Sequence, residues 1–158
     1  YCCKEKAKKK FYILNHGLTH CIPGKHNPMR FKSNQKYHRE FTNYLVFDEQ
    51  LKHLENSQKI IFEMFGFYPR ILVPPGNQYN LDTLKSMQKL DMHYIQCNRD
   101  KSYQPSDKHL KEFGIKHIDN SKVVVFHDKD LVKKGLEYFQ TIDNFSKTQY
   151  LSMRKLLN

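Results

Sequence analysis

Three short apolar runs each stop at residues able to do chemistry, and that recurrence constrains the fold more than any other feature of the chain. Phe11–Asn15 leads into His16-Gly-Leu-Thr-His20, Ile71–Val73 into Pro74-Pro-Gly-Asn77, and Val123–Phe126 into His127-Asp128. Apolar runs of this length bounded by turn residues read as buried strands. Helical patterns fall between them, which implies crossovers and a parallel sheet. In parallel α/β sheets and barrels, active sites lie at the carboxyl ends of the strands. Three such ends on one face bring His16, His20, Pro75 and His127 together, a set suited to hydrolysis at a divalent cation.

The intervening segments support this reading. Residues 1–10 are Lys-rich and read as a frayed end or the tail of an upstream helix, and 17–46 form a long irregular stretch containing Pro23-Gly24 and Asn27-Pro28. A structureless segment longer than about 15 residues is characteristically functional or disordered; following the His pair directly, this one suits a loop that covers a site. Asp48 is placed to cap a helix running to Phe65, with Phe47, Leu51, Leu54, Ile61 and Phe65 at helical spacing and Gly66 as its stop. Asn80 or Asp82 caps the next helix, whose stripe is Leu81, Leu84, Met87 and Leu90. Tyr94–Cys97 is predicted as a strand, 98–114 as a polar loop with one helical turn at 106–113, and Ile115–Ile118 as a short strand. A helix over 130–145 turns Leu131, Leu136, Phe139 and Ile142 inward, and Ser146 with Gln149 makes a capping-box pattern for a last helix. Five strands alternating with helices are too few for a complete eight-unit barrel.

At 158 residues the chain is one ordinary domain at most. Its net charge of +11, from 27 Lys+Arg against 16 Asp+Glu, raises the prior for nucleic acid, anionic glycan or membrane-surface partners. Beyond Lys4 to Lys10 the excess is scattered Lys, the pattern of a solvated face. No apolar run approaches the ~18 residues that span a membrane, the sequence contains no signal-peptide pattern, and a start at Tyr1 without Met suggests a fragment. Cys2, Cys3, Cys21 and Cys97 contain no CxxC pair, which disfavours a disulfide framework, and Asn144-Phe-Ser146 fits a glycosylation sequon.

Each chemical motif has a bland reading beside its functional one. His16 and His20 stand at i and i+4, a spacing that lets two imidazoles share one cation. A zincin-type protease is disfavoured, because Gly17 stands where His-Glu-x-x-His carries its Glu and the preceding segment is a strand. With nine His in the chain, such a pair also arises by chance. Pro74-Pro75-Gly76-Asn77 can be a stiff turn and nothing more. His127 can be a satisfied strand-end residue or a general acid, since imidazole titrates near working pH. Asp128 beside it either orients it or caps the helix that follows.

In order and context the pieces resemble the polysaccharide deacetylase family, the NodB-like carbohydrate esterases, from about Tyr12 to Phe145. That family has a strand ending in His-(Ser/Thr)-x-x-His, matched by His16 and His20 with Gly17 in the Ser/Thr position. A helix follows, then a strand ending in a Pro-rich substrate-groove motif. Ile71-Leu-Val-Pro-Pro-Gly-Asn77 resembles a divergent form, and Glu40-Phe41 with Phe65-Gly-Phe67 is similar to an atypical branch in which Pro-Pro-Gly-Asn replaces the usual Arg motif. Val125-Phe-His-Asp128 resembles the late strand whose His is the catalytic acid.

The resemblance implies a single domain over 1–158 with a partial, distorted β/α barrel of TIM-barrel-like type. It implies a divalent metal, zinc by preference, held by His16 and His20, a groove formed by Pro74, Pro75, Gly76 and Asn77, and His127 as the acid that protonates the leaving amine. The substrate class is an N-acetylated carbohydrate, which loses its N- or O-acetyl groups. Two departures stand out. The family's Asp-Asp motif, source of the general base and the third metal ligand, has no counterpart and is expected upstream of Tyr1 together with the first strand. Val73 replaces the motif Arg, and Arg70 at the strand start is the nearest cation in sequence. A non-catalytic carbohydrate-binding relative is the second expectation. A basic nucleic-acid module is the third, for which Lys32, Lys36, Tyr37 and Arg39 are the only hint; specific nucleic-acid binding is not expected.

Overall fold

The computed structural model describes residues 12–20, 39–41, 45–100 and 102–119. Within them the chain is an α/β arrangement around three parallel strands. The elements in order are α1 (Phe47–Phe65), β1 (Ile71–Leu72), a 3-10 turn (Pro75–Asn77), α2 (Leu81–Lys89), β2 (Tyr94–Cys97), α3 (Asp107–Glu112) and β3 (Lys116–Asp119). The sheet order is β1-β2-β3, with Ile71 opposite Tyr94 and Tyr94 opposite Lys116. Asn15 adds a parallel bridge to Leu72 on the free side of β1. Its N–H donates to Ile71 O at 3.0 Å and its carbonyl accepts from Val73 N–H at 2.8 Å. Four chain segments therefore run the same way, and their carboxyl ends share one edge of the sheet.

The expected strand at 11–15 reduces to that single bridge among the described residues, because 12–14 make no ladder. The strand expected at 71–73 ends at Leu72, and the one expected at 115–118 lies one residue later. Leu110 O takes the N–H of Ile115 at 2.8 Å, so Ile115 closes the α3 turn before the ladder begins. The segment 123–126, His127, Asp128 and the helices expected beyond them lie outside the described residues, as do Lys32, Lys36 and Tyr37.

Helix α1 is capped differently from expectation. Val46, in extended conformation, is the N-cap, and Asp48 sits inside the first turn with Glu49. The Glu49 carboxylate reaches back to accept the Val46 N–H at 3.3 Å. Gly66 ends the helix in the left-handed region at φ 77°, its N–H donating to Phe62 O at 2.7 Å. The face that α1 buries is Gln50, Leu54, Ser57 and Gln58. Leu54 was expected there, whereas Phe47, Leu51, Ile61 and Phe65 are only half-buried.

The burial of polar residues is explained by their partners. Gln50 donates to Leu45 O at 2.8 Å and Asn80 Oδ1 at 3.2 Å, and accepts from Thr83 Oγ1 at 2.7 Å. Gln58 donates to Pro69 O at 3.0 Å. Buried polar atoms are tolerated when paired in this way. Asn80 is the cap of α2, accepting Thr83 N–H at 3.0 Å while Thr83 Oγ1 accepts Asn80 N–H at 3.1 Å. That anchoring turns Thr83, Leu84, Ser86 and Met87 inward and leaves Leu81 41% exposed. Leu54, Leu72, Leu84, Met87, Ile95 and Leu110 are among the residues of one apolar core between the helices and the sheet.

Candidate functional site

The site is built where the Asn15 segment and β1 end side by side. Asn15 is fully buried, its Nδ2 donating to Ser57 Oγ on α1 at 2.8 Å and its Oδ1 accepting Gly17 N–H at 2.9 Å. The chain thus leaves the sheet on a fixed heading and enters the loop 16–20 through Gly17, at φ 83°.

His16 projects from this point toward the end of β1, its Nδ1 lying 2.6 Å from Val73 O. A carbonyl only accepts, so neutral His16 carries its proton on Nδ1 and its lone pair on Nε2. The His20 ring lies with its centroid 4.9 Å from that of His16, at 66° between planes. The two imidazoles predicted to act together are therefore neighbours at the carboxyl edge of the sheet. A backbone carbonyl that fixes one ring nitrogen and leaves the other as a ligand is the usual support of a metal-binding His. In that respect the pair fits a borderline cation such as zinc. It supplies two ligands of the three or more such a site takes, and no group of three or more His, Cys, Asp and Glu able to hold a metal occurs among the described residues.

The loop itself is held by a residue that motif reasoning did not place in the site. Glu40 is fully buried beneath it. Its carboxyl group accepts the N–H of Leu18 at 3.0 and 3.1 Å, of Thr19 at 3.2 Å and of His20 at 3.0 Å. Successive N–H groups converging in this way form an anion-binding nest. The other side of the carboxyl group meets His53 Nδ1 of α1 at 2.7 Å. A Cβ added at Gly17 would land on Glu40 Oε2, with Cδ at 3.0 Å and the Phe41 ring at 3.3 Å. The close approach and the positive φ are the physical reasons that position 17 is glycine. The sequence marked Glu40 only through the Glu40-Phe41 pair of the family resemblance, which assigned it no role.

Pro74–Asn77 forms the neighbouring wall. Pro75 is buried and the turn passes through Gly76 and Asn77 at φ 63° and 55°. Asn77 braces the next strand end: its Oδ1 accepts Asn98 N–H at 3.1 Å, and its carbonyl accepts from Gln104 Nε2 at 2.6 Å. The side chain of Arg39 lies across Gly76, Cγ being 2.9 Å from where a Cβ would stand. An arginine thus reaches the turn from residue 39, while Arg70 is engaged elsewhere, in an exposed ion pair with Asp91 at 3.2 Å.

Further along the same edge, His117 Nε2 donates to Cys97 O at 3.0 Å and lies 3.6 Å from Cys97 Sγ. Burial pushes the Cys97 thiol up to about 12, with Arg99 opposing and Asp119 adding to the shift. Burial also lowers the His117 imidazole below its ordinary value, against its hydrogen bond to Cys97 O. The pair is a neutral thiol beside a neutral ring, not an activated nucleophile. Tyr79 is raised to about 12, first by burial and then by Cys97. At the opposite, amino end of β1, a stacked Phe62–Tyr68 pair 4.5 Å apart lines a groove with Arg70 and Lys89.

No protein-family model, curated protein or solved structure matches this chain. No helix among the described residues is long and apolar enough to cross a membrane.

Proposed function

We propose that this chain is the metal-binding and groove-forming part of a polysaccharide deacetylase of the NodB-like type, with the sheet belonging to a partial, distorted β/α barrel. The observation that carries the reading is the hydrogen bond between His16 Nδ1 and Val73 O, made where two parallel segments end. It leaves the Nε2 lone pair unused on a ring whose centroid lies 4.9 Å from that of His20. His16 and His20 would hold a divalent cation, zinc by its preference for imidazole. When bound, such a cation polarises an acetamide carbonyl and makes water nucleophilic at neutral pH.

The chain's own residues have definable tasks in this reading. Val73 O keeps the His16 tautomer fixed, Asn15 sets the heading of the loop, and Pro74–Asn77 bounds the groove in which an N-acetylated sugar lies. The family resemblance would give His127, which lies outside the described residues, the task of protonating the departing amine.

The test is acetate release from an N-acetylated oligosaccharide by the intact protein, with metal content measured per chain. His16→Ala is expected to lose both metal and activity. Full activity in His16→Ala, or an intact protein that binds the oligosaccharide without releasing acetate, would remove the hydrolase reading; the second result would point to a carbohydrate-binding relative.

A further inference from the structure

Four donors converge on one carboxyl group beneath the His16–His20 loop, and the group is fully buried. Three of them are the consecutive backbone N–H groups of the residues that end in His20. The fourth is the ring of His53, two turns into α1 and 14% exposed. The loop has no helix or strand of its own to define it. What defines it is this carboxyl group, together with the absence of a Cβ at Gly17.

We propose that Glu40 is the positioning residue of the two-imidazole site, and that His53 locks Glu40 in place. The inference rests on the reading of His16 and His20 as metal ligands. The physical reasoning is direct. His20 follows from its own backbone N–H, which donates to Glu40, so the carboxyl group sets where the His20 Cα lies relative to His16. His16 is held from the other side by Val73 O. Two ligands fixed by separate parts of the fold meet only if both anchors hold. Without Glu40, three N–H groups lose their acceptor and turn toward water, and the 16–20 segment samples conformations in which the rings diverge. The cation then binds at the cost of ordering the loop, which lowers its affinity. Groups of this kind behind a ligand are worth about 10–100-fold in metal affinity.

Glu40→Gln separates positioning from bulk. The amide has nearly the same shape, but one of the two acceptor oxygens becomes a donor. The charge that draws the loop N–H groups is lost, and the NH2 side of the amide faces either them or a His53 ring that has changed tautomer. His53→Ala removes the lock and leaves the loop contacts. His53→Gln restores a donor in reach of Glu40.

The experiment is a zinc titration of the full chain, followed at the ring nitrogens of His16 and His20 by NMR. Thermal unfolding of each metal-free variant is recorded beside it. In metal-free wild type, His16 is expected in the Nδ1–H tautomer. Glu40→Gln is expected to shift the His16 and His20 ring signals before zinc is added and to weaken zinc binding about 10-fold or more. His53→Ala is expected to weaken it less, and His53→Gln to recover most of the loss. A folded Glu40→Gln chain that binds zinc as wild type does overturns the proposal. If Glu40→Gln does not fold, the His53 pair decides: equal zinc affinity in His53→Ala and wild type overturns it. His16→Ala distinguishes the two layers of the argument. Unchanged zinc affinity in His16→Ala defeats the metal reading itself, whereas loss there with no effect at Glu40 or His53 defeats only the positioning role.

Discussion

Replacing glycine by alanine at three positions measures the packing of the site loop without touching any imidazole. Gly17, Gly76 and Gly114 all have positive φ, at 83°, 63° and 67°. Forcing an L-residue into the left-handed region costs about 1–2 kcal/mol. A less flexible unfolded chain returns about 0.4–1 kcal/mol of that. Gly114 has nothing within 4 Å of an added Cβ, so Gly114→Ala isolates this backbone effect, about 1 kcal/mol net. At Gly76 the Cβ meets Arg39 Cγ at 2.9 Å, close to that residue's backbone, so the whole Arg39 side chain must turn to make room. Gly76→Ala is expected to cost more than Gly114→Ala, since a packed side chain is displaced in one and nothing in the other. At Gly17 the Cβ lands on the Glu40 carboxyl group, which is fully buried and tied to three backbone N–H groups. Moving it breaks at least one hydrogen bond to a charged group, about 1.5–3 kcal/mol. The total for Gly17→Ala is then about 2.5–4 kcal/mol, by adding this to the backbone effect. Urea denaturation followed by circular dichroism gives the three values on one scale. The expected order is Gly114, Gly76, Gly17, with about 1.5–3 kcal/mol between the first and the last. A Gly17→Ala protein as stable as Gly114→Ala would show that Glu40 does not lie under the loop, and the positioning argument would fall with it.

Other outcomes follow from the same structure. Asn80→Ala removes the α2 cap and the partner of Gln50, and is expected to destabilise by about 1–2 kcal/mol in the same denaturation assay. Cys97, at about 12 in the folded chain against an ordinary 9.0, and Tyr79, at about 12 against 10.0, both keep their protons longer in the native state than in the unfolded one. Above pH 9 the unfolded chain therefore binds fewer protons, and stability is expected to fall as pH rises from about 9 toward 12. Urea midpoints across that range check it, and a midpoint that stays flat to pH 11 contradicts the burial of these groups. His127→Ala is expected to slow acetate release by about 10²–10⁴-fold in the intact protein while leaving metal content unchanged. Metal loss there as complete as in His16→Ala would show that the two roles are misassigned.

The parts of this fold that could be read from the sequence are those with local causes. Gly66 stops α1 because a left-handed residue closes its last turn. Asn80 starts α2 because its side chain and that of Thr83 satisfy each other's backbone N–H. Tyr94–Cys97 is a strand over its predicted span, a short apolar run buried in the middle of a sheet. The His16–His20 spacing likewise pointed to two neighbouring rings.

Tertiary structure decided the remainder, because the deciding partners are far apart in sequence. Which face of α1 points inward depends on Ser57 meeting Asn15, Gln58 meeting Pro69 and Gln50 meeting Thr83, contacts that a hydrophobic stripe does not encode. Arg39 reaches the Gly76 turn from a loop, although no motif spacing links the two. The sequence determined, through residue type and short-range spacing, that strands would alternate with helices and that two imidazoles would lie close together. Only the fold determined that a carboxyl group 20 residues downstream of His20 would take up that residue's backbone N–H, since a buried acid gains its partners from whatever donors the packed chain brings to it.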